Sequence, residues 1–321
     1  MAGWVHTIFQ GNTNLETVTC NYCGSTQYTQ LFTLPDYLLE RSDIWATLVQ
    51  CNDCGLIYQN PRPTPMEMLA HYPSEYNEHI SVRKNNRLLN WAANYGLRKR
   101  TKYVTRHKHV GRVLDIGCAT GRFLDTLTPF GDWELYGVEP SPYAAKIARQ
   151  NTLLTIYEGV LESTHFPNDY FDVITMWDVL EHVHNPLMTL QEIARILKPD
   201  GILVFRVPNY DSTQRKQFGK YWAGYEPPRH LYVFSPKILS QMLEKTNLTM
   251  IDWTTKSSNY LTFVLSIRFV LTGKGIKRTT REQILQWLNH PISRLAFAPF
   301  FYVGGIFEKG PLLVVTAQRQ V

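Results

Sequence analysis

The chain divides into two regions that differ in how apolar residues are spaced. From Gly111 onward, short apolar runs alternate with longer amphipathic segments, which is typical of a parallel α/β sheet covered by helices. The runs predict buried strands at 112–117, 133–139, 153–159, 171–177, 201–208, 249–255 and 312–318. The amphipathic segments predict helices at about 121–129, 141–151, 186–197 and 236–246.

The helix predicted at 186–197 has the clearest ends. Asn185 is a favourable N-cap, and Pro186 suits the first helical position because its missing N–H would have no acceptor there. The sequence Lys-Pro-Asp-Gly at 198–201 predicts the end of the helix. Its predicted buried face consists of Leu187, Leu190, Ile193, Ala194 and Leu197.

The region before Gly111 contains paired cysteines. Two Cys-x-x-Cys pairs are each followed by glycine, and a tight turn of this kind directs two thiolates at one ion. The sequence therefore predicts a zinc ribbon whose metal ligands are Cys20, Cys23, Cys51 and Cys54. A closed site of four thiolates supports folding rather than catalysis, so we expect a structural zinc.

A connector follows the predicted ribbon. Asn-Pro-Arg-Pro-Thr-Pro at 60–65 ends the module, and a helix is predicted from about Val82 to His109. This helix has no acidic residue, which is consistent with a solvated face packed on the next domain or with a surface for an anionic ligand. Its basic residues are Arg83, Lys84, Arg87, Arg98, Lys99, Arg100, Lys102, Arg106 and Lys108. The predicted domains are a ribbon at 1–62, a helical connector at 63–109 and an α/β domain at 110–321.

Composition narrows the class of protein only slightly. The 321 residues are 44% hydrophobic, which is enough for a buried core, and the net charge of +6 suits phosphorylated small molecules, membrane surfaces or nucleic acid equally. The first residues lack the pattern of a secretory signal, and no apolar run reaches the ~18 residues that span a bilayer. We therefore expect a cytoplasmic protein, and in such a reducing compartment the paired cysteines point to metal more readily than to disulfides.

A glycine-containing loop indicates a ligand site. The sequence VLDIGCATGRFL places Asp115 at the end of a strand, before Gly117, Gly121 and a helix start, so a ligand can approach the backbone closely. Glu139 ends the next strand, 18 residues after Gly121 and near the ~20-residue offset at which an acid binds ribose hydroxyls. The spacing differs from that of a dinucleotide loop and favours a nucleoside with an amino-acid tail.

Four ordered segments resemble class I S-adenosylmethionine-dependent methyltransferases: the loop at 115–121, Glu139, FDVITMWDVLEHVHNP and LKPDGILVFRVPN. The resemblance covers residues 110–255 and 311–318. It implies a seven-stranded Rossmann-like methyltransferase sheet whose last strand is antiparallel and lies beside the fifth.

The same resemblance implies S-adenosyl-L-methionine as cofactor. Gly117, Cys118 and Gly121 would lie against the methionine tail, Asp115 would hold its ammonium, and Glu139 would bind the ribose. The acid that usually lies near the adenine does not stand at its usual place in this segment, which reads Gly159, Val160, Leu161 and Glu162, so that contact stays open. Further cofactor-binding candidates implied by the matching segments are Ala119, Phe123, Pro140, Val160, Leu161, Trp177, Asp178 and His182.

A wider resemblance covers most of the chain except 256–308. The cysteine pairs, NPRPTPMEMLAHYPSEY and YEPPRHLYVFSP together resemble a bacterial subfamily related to the nucleotide-sugar C-methyltransferases. Many members are associated with cell-surface sugar or polysaccharide biosynthesis. The resemblance therefore implies a small-molecule acceptor, with a sugar nucleotide or glycan precursor favoured.

The segment GKYWAGYEPPRHLYVFSP, which follows the fifth strand, supplies candidate catalytic groups. Methyl transfer to oxygen or carbon requires a base, and His230 is our candidate. Arg229 could pair with a phosphate or carboxylate of the acceptor, and Tyr221, Trp222 and Tyr225 could enclose it. The alternative is a structural turn in which His230 binds backbone and Ser235 caps a helix.

The segment MWDVLEHVHNP admits two interpretations. Asp178, Glu181 and His182 could converge on one cation, as in the ubiquinone-biosynthesis O-methyltransferases that this segment resembles. We favour the alternative, in which Trp177 and Asp178 line the cofactor pocket and Glu181 and His182 brace the turn. His184 is expected to face solvent.

The insertion at 256–308 mixes apolar stretches with basic residues, which suits a lid, a dimer surface or a peripheral membrane contact. Taken together, the sequence predicts S-adenosylmethionine-dependent O- or C-methylation of a nucleotide-linked or cell-surface sugar. The alternatives are an RNA methyltransferase that uses the ribbon and basic helix, a quinone-type O-methyltransferase, and a non-catalytic cofactor-binding scaffold.

Overall fold

The computed structural model describes residues 14–72, 87–256, 259–297 and 309–320. The predicted helix start at Val82, with Arg83 and Lys84, lies outside these ranges, as does the apolar stretch at 298–308.

The N-terminal region is a small antiparallel module. It contains β1 (Leu15–Glu16), β2 (Tyr28–Asp36), β3 (Arg41–Cys51), β4 (Ile57–Gln59), β5 (Arg62–Pro63) and the short helix α1 (Pro65–Met68). β2, β3 and β4 form a sheet, and β1 pairs with β5. Both cysteine turns close alike, because the amide of Gly24 donates to the carbonyl of Cys20 and that of Gly55 to Cys51, at 2.8 and 3.0 Å. Both glycines have positive φ, as the turns require.

The remaining strands are β6 (Val110–Ile116), β7 (Asp132–Glu139), β8 (Leu154–Glu158), β9 (Phe171–Trp177), β10 (Leu197–Pro208), β11 (Tyr232–Val233), β12 (Leu248–Thr254) and β13 (Leu312–Arg319). All except β11 form a seven-stranded sheet in the order β12–β13–β10–β9–β6–β7–β8. β13 runs antiparallel to its neighbours β10 and β12, whereas the other neighbouring pairs are parallel. The predicted sheet and its antiparallel last strand are confirmed.

The helices are α2 (Arg87–Thr105), α3 (Arg122–Leu127), α4 (Pro142–Ala148), α5 (Pro186–Ile196), α6 (Thr213–Phe218), α7 (Pro236–Glu244), α8 (Asn259–Gly273) and α9 (Arg278–Asn289). Asn185 caps α5 as predicted, and Ser235 caps α7. The segment 198–201 is not a loop. β10 already pairs with β9 at Leu197 and resumes after an irregularity at Ile202, so α5 ends at Ile196.

The two regions share one core. β11 joins the module's sheet, where Tyr232 pairs with Tyr58 of β4. One cluster of buried residues extends from Cys20 and Tyr58 in the module to Leu190 and Leu239 on α5 and α7. The boundary predicted at residue 62 therefore marks a change in sequence pattern, not a gap in packing.

The described part of the insertion packs as a cap on the module. The ring of Phe269 on α8 lies 5.5 Å from that of Tyr37, and the amide of Ala223 donates to the hydroxyl of Ser266 at 2.9 Å. Arg281 on α9 donates twice to Glu40, at 2.7 and 2.8 Å. Among the described residues, no helix is long and apolar enough to cross a bilayer.

Candidate active site

The glycine-containing loop leaves β6 at the carboxyl edge of the sheet. The amides of Gly117 and Cys118 both donate to the carbonyl of Val138, at 2.8 and 3.1 Å, which ties the loop to β7. Gly117 and Gly121 have φ of 70° and 77°, in the region that favours glycine. A Cβ on Gly117 would lie 2.6 Å from Cγ2 of Val179, so glycine also lets the loop contact the residues after β9.

Glu139 ends β7 and holds this loop. One carboxylate oxygen accepts a hydrogen bond from the amide of Ala119 and the other from the amide of Ser141, each at 2.8 Å. Burial raises the pKa of Glu139, and the two amides oppose that rise. The acid predicted from its offset and the glycine loop therefore lie together, on neighbouring parallel strands.

Asp115 lies below the loop and is 2% exposed. Its Oδ1 accepts a hydrogen bond from the hydroxyl of Thr175 at 2.6 Å. Burial raises the pKa of Asp115 to about 7, although Thr175 and the positive charge of Arg100 oppose the rise. A buried carboxyl with so little compensation suits a cationic ligand.

The other predicted cofactor residues surround this loop to different extents. Phe123 is buried with its ring 5.2 Å from that of Trp177. Cys118 and Leu161 are also buried, whereas Pro140 and Val160 are exposed. The structure thus groups most of the set around the loop and leaves Pro140 and Val160 on the surface.

Asp178 has a different role from the one predicted by the metal hypothesis. Arg206 donates to both of its carboxylate oxygens, through Nε at 2.7 Å and through Nη2, and Arg100 lies 3.6 Å away. Although burial acts to raise it, Arg206 and Arg100 hold the pKa of Asp178 below its ordinary value. The cation site of Asp178, Glu181 and His182 is therefore not formed, because guanidinium groups already neutralise Asp178.

Glu181 and His182 instead meet His230. Potential ligand atoms of the three side chains lie within 4.8 Å of one another. The imidazole rings are nearly perpendicular, with centroids 4.6 Å apart. Glu181 is fully buried, and neither carboxylate oxygen has a hydrogen-bond partner among the described residues. Burial, reinforced by the charge of Asp178, raises the pKa of Glu181 well above its ordinary value.

Backbone carbonyls fix the tautomers of both imidazoles. Nδ1 of His230 lies 2.9 Å from the carbonyl of Gly224, and Nδ1 of His182 lies 3.1 Å from the carbonyl of Arg229 and 2.9 Å from the hydroxyl of Tyr72. Because a carbonyl only accepts, each Nδ1 carries the hydrogen and each Nε2 has a lone pair. Burial lowers the pKa of His182 to about 3 and that of His230 to about 4, so both are neutral near pH 7.

The backbone contact of His230 and the Ser235 cap also match the alternative interpretation of this segment as a structural turn. The two interpretations are compatible, because the contact uses Nδ1 and leaves the lone pair of Nε2, which lies 3.8 Å from a carboxylate oxygen of Glu226.

The contacts of Arg229 contradict its predicted role in pairing with the acceptor. Its guanidinium is fully buried and donates to Asp36 at 2.7 and 2.9 Å and to Glu226 at 3.0 Å. Two carboxylates thus hold it in the interior, so it is not placed to pair with a phosphate or carboxylate of an acceptor. The backbone of Arg229 nevertheless orients His182 through its carbonyl.

The structure also contradicts the role predicted for Tyr221, Trp222 and Tyr225, which was to enclose the acceptor. Tyr225 is 1% exposed and packs against Trp222, and Tyr221 packs against Tyr37. These rings form the core between module and cap because α8 covers the loop that carries them. They do not line an open acceptor pocket.

His184 does not face solvent as expected. It is partly buried, and its Nε2 lies 3.0 Å from the carbonyl of Pro63.

Two contributors to the site were missed by sequence reasoning. Arg206 is the only charged residue in the apolar run ILVFRVP, and an isolated charge in a buried strand signals that a partner is required. Tyr72 carried no such signal, because its contact with His182 joins residues 110 positions apart.

The four cysteines of the module come together as predicted. Sγ of Cys20 lies 3.5 Å from that of Cys54, Sγ of Cys23 lies 3.5 Å from that of Cys51, and all four lie within 4.8 Å of one another. A zinc ion with four thiolates at ~2.3 Å needs sulfur–sulfur separations of about 3.8 Å. The donor set and its spacing therefore fit one tetrahedral zinc.

Comparison with known proteins agrees with the sheet and the loop. Residues 97–252 match a family model described as a methyltransferase domain. This match and the sheet order together support a class I S-adenosylmethionine-dependent methyltransferase domain in the chain.

The curated relatives of this chain include ubiquinone biosynthesis O-methyltransferases. That of Actinobacillus pleuropneumoniae serotype 5b (strain L20) is 36% identical over 108 residues, 30% of this chain and 46% of that protein. That of Histophilus somni (strain 2336) is 26% identical over 209 residues, 59% of this chain and 77% of that protein. The chain thus spans less than half the length of the Actinobacillus relative. Among solved structures, the YcgJ protein of Bacillus subtilis is 19% identical with a TM-score of 0.47, covering 71% of this chain and 99% of that one.

Proposed function

We propose that this protein transfers a methyl group from S-adenosylmethionine to a small-molecule acceptor that loses a proton during the transfer. The observation that carries the proposal is the cluster of Glu181, His182 and His230 beside the glycine-containing loop. Val179, three residues before His182, contacts the loop at Gly117. Groups suited to proton transfer therefore lie next to the cofactor loop, at the edge where parallel sheets bind ligands.

The residues of the loop fit the cofactor. The carboxylate of Asp115 would pair with the ammonium of the methionine tail, and Glu139 would accept hydrogen bonds from the ribose hydroxyls. The positive φ at Gly117 and Gly121 lets the backbone approach the tail. The bound cofactor supplies a methyl group activated by its sulfonium.

The imidazole pair supplies the base. Nε2 of His230 is unprotonated, so it can take the proton of an acceptor hydroxyl as the new bond to carbon forms. Glu181 lies beside the imidazolium that would result and would stabilise it when its buried carboxyl is ionised. Tyr72 and the carbonyl of Arg229 hold the ring of His182. That ring packs against the ring of His230 and fixes its position.

The first candidate acceptor is a nucleotide-linked or cell-surface sugar, methylated on oxygen or carbon. Its support is the resemblance carried by the cysteine pairs, the 60–76 segment and the 225–236 segment. A quinol hydroxyl is the second candidate, because the curated relatives are ubiquinone O-methyltransferases. Both acceptor classes contain hydroxyls that need a base.

The test uses the full chain with isotopically labelled S-adenosylmethionine and three acceptor sets: nucleotide sugars, demethylated quinols and RNA. Label in a nucleotide sugar supports the first candidate, and label in a quinol supports the second. Label in RNA alone would overturn the small-molecule assignment. Cofactor binding without labelled product from any set would indicate a cofactor-binding scaffold.

A further inference from the structure

The four-cysteine module contacts the short connection between β9 and α5 that carries Glu181 and His182. Asn21 lies between two of the cysteines, and its Nδ2 donates to Oδ1 of Asn185 at 2.8 Å. The amide of Leu187 donates to Oδ1 of Asn21 at 3.2 Å. A side chain of the module thus completes the N-terminal cap of α5.

A second set of contacts fixes the neighbouring residue of this connection. The carbonyl of His184 accepts hydrogen bonds from Nη1 of Arg62 at 2.7 Å and from the hydroxyl of Tyr232 at 3.0 Å. Its ring binds the carbonyl of Pro63 at 3.0 Å. The backbone is therefore held at 184 and 185, two and three residues after His182.

The second cysteine turn provides a comparison within the same molecule. Asn52 follows Cys51 as Asn21 follows Cys20. Its Oδ1 accepts a hydrogen bond from the hydroxyl of Thr29 at 2.8 Å, on the exposed surface of the module. The two turns share a sequence pattern and a backbone closure, but the asparagine docked on the connection is Asn21.

We propose that the module positions the Glu181–His182 pair and that Asn21 is the positioning residue. Because Cys20 and Cys23 flank Asn21, a zinc ion bound by the cysteines would fix the turn that presents this side chain. The role in turnover rests on the proposed methyl transfer, whereas the mechanical link between module and connection does not.

The test compares Asn21→Ala, Asn21→Asp and Asn52→Ala in the full chain. Asn21→Ala should speed amide hydrogen exchange in a peptide covering 179–190 by at least about fivefold, because the caps of Leu187 and Asn185 lose their partner. It should lower kcat by about fivefold or more while zinc content and the Kd for S-adenosylmethionine stay within about twofold. Asn21→Asp should recover part of both losses, since its carboxylate still accepts from the amide of Leu187 near a helix N-terminus but cannot donate to Oδ1 of Asn185, which caps the amide of Met188.

Asn52→Ala is the matched control and should leave exchange at 179–190 and kcat unchanged. The inference is overturned if exchange at 179–190 in Asn21→Ala equals that of the wild type, or if Asn52→Ala has the same effect. If the exchange result holds but the wild type methylates none of the acceptors, the proposed function fails while the mechanical link stands.

Discussion

The proposed cofactor side and the proposed acceptor side of the site are built in opposite ways. On the cofactor side, Asp115, Gly117 and Gly121 come from one strand and its loop, and Glu139 ends the adjacent strand with each oxygen bound to a backbone amide. On the acceptor side, the groups come from three separated segments, contributing Tyr72, Glu181–His182 and His230. On this side the carboxylate of Glu181 is buried, and neither of its oxygens has a hydrogen-bond partner among the residues that the structure describes.

This difference implies that a variant can impair turnover on one side of the site without impairing cofactor binding on the other. The cofactor side depends on strand pairing and local turns, which survive whenever the sheet is folded. The acceptor side depends on how the module and the 226–232 segment dock on the connection after β9. A variant that weakens docking should therefore impair turnover before it impairs cofactor binding.

The largest expected effect comes from the metal ligands. Structural zinc in small modules contributes ~10 kcal/mol or more to folding, so Cys51→Ser should lower the melting temperature by at least about 10 °C and abolish turnover. Below the transition, its Kd for S-adenosylmethionine should stay within about threefold of wild type. Scanning calorimetry measures the melting temperature, titration calorimetry measures the Kd, and metal analysis measures the zinc content. Cys118→Ala, which alters the fifth cysteine, should retain the zinc; loss of zinc there would contradict the ligand assignment.

Removal of the proposed base should affect chemistry alone. His230→Ala should slow single-turnover methyl transfer at saturating cofactor by about 10²–10⁴-fold, because general-base catalysis contributes on that order. Its Kd for S-adenosylmethionine should not change, as titration calorimetry would show. The exposed His107 offers a control, since His107→Ala should transfer at the wild-type rate. A His230→Ala rate within about threefold of wild type would remove His230 from the mechanism.

The ionisation of Asp115, on the proposed cofactor side, makes the stability of the protein depend on pH. Its pKa is about 7 in the folded protein, against ~3.9 unfolded, so burial favours the protonated form. The contribution of Asp115 to stability is then highest below about pH 4 and falls as the pH rises towards 7. Asp115→Asn keeps an acceptor for Thr175 and should be more stable than wild type by on the order of 4 kcal/mol at pH 8, with almost no difference at pH 4.

Urea unfolding of Asp115→Asn and wild type between about pH 4 and pH 8 measures this difference. Asp43→Asn, at an exposed carboxylate, should show no comparable pH dependence. A constant difference between Asp115→Asn and wild type across the range would refute the assigned cause. The same variant should bind S-adenosylmethionine more weakly, since an amide cannot neutralise the ammonium.

The smallest expected effect is at Glu139. Glu139→Gln replaces one acceptor oxygen by an NH₂ group that faces a backbone N–H, so the Kd for S-adenosylmethionine should rise by roughly 10–50-fold. Titration calorimetry at one pH measures this. Glu158 is its cross-strand partner and pairs with Arg149 at the surface, so Glu158→Gln should bind as wild type does. If both variants bound S-adenosylmethionine equally well, Glu139 would not be the residue that binds the ribose.

Sequence reasoning predicted the residues of the proposed cofactor side because the signals that mark them are short in range. An acid at a strand end, glycines before a helix and a second acid about one βα unit later are all readable along the chain. The same reasoning misplaced Arg229 and Tyr225, since the residue types suited an acceptor site but long-range packing took them into the interior. It did not identify the partner of Asp178, because Arg206 lies 28 positions away on β10.

By itself, the sequence predicted the seven strands of the large sheet, four helices between or after them, the glycine-containing loop with Glu139, and the spacing of the four cysteines. These depend on backbone geometry over a few residues and on the alternation of apolar runs. Only the tertiary structure decided that His230 joins Glu181 and His182, that Arg206 neutralises Asp178, and that Asn21 caps α5. Those contacts join segments 28 to 164 residues apart, and buried charges select their partners by docking that no local pattern encodes.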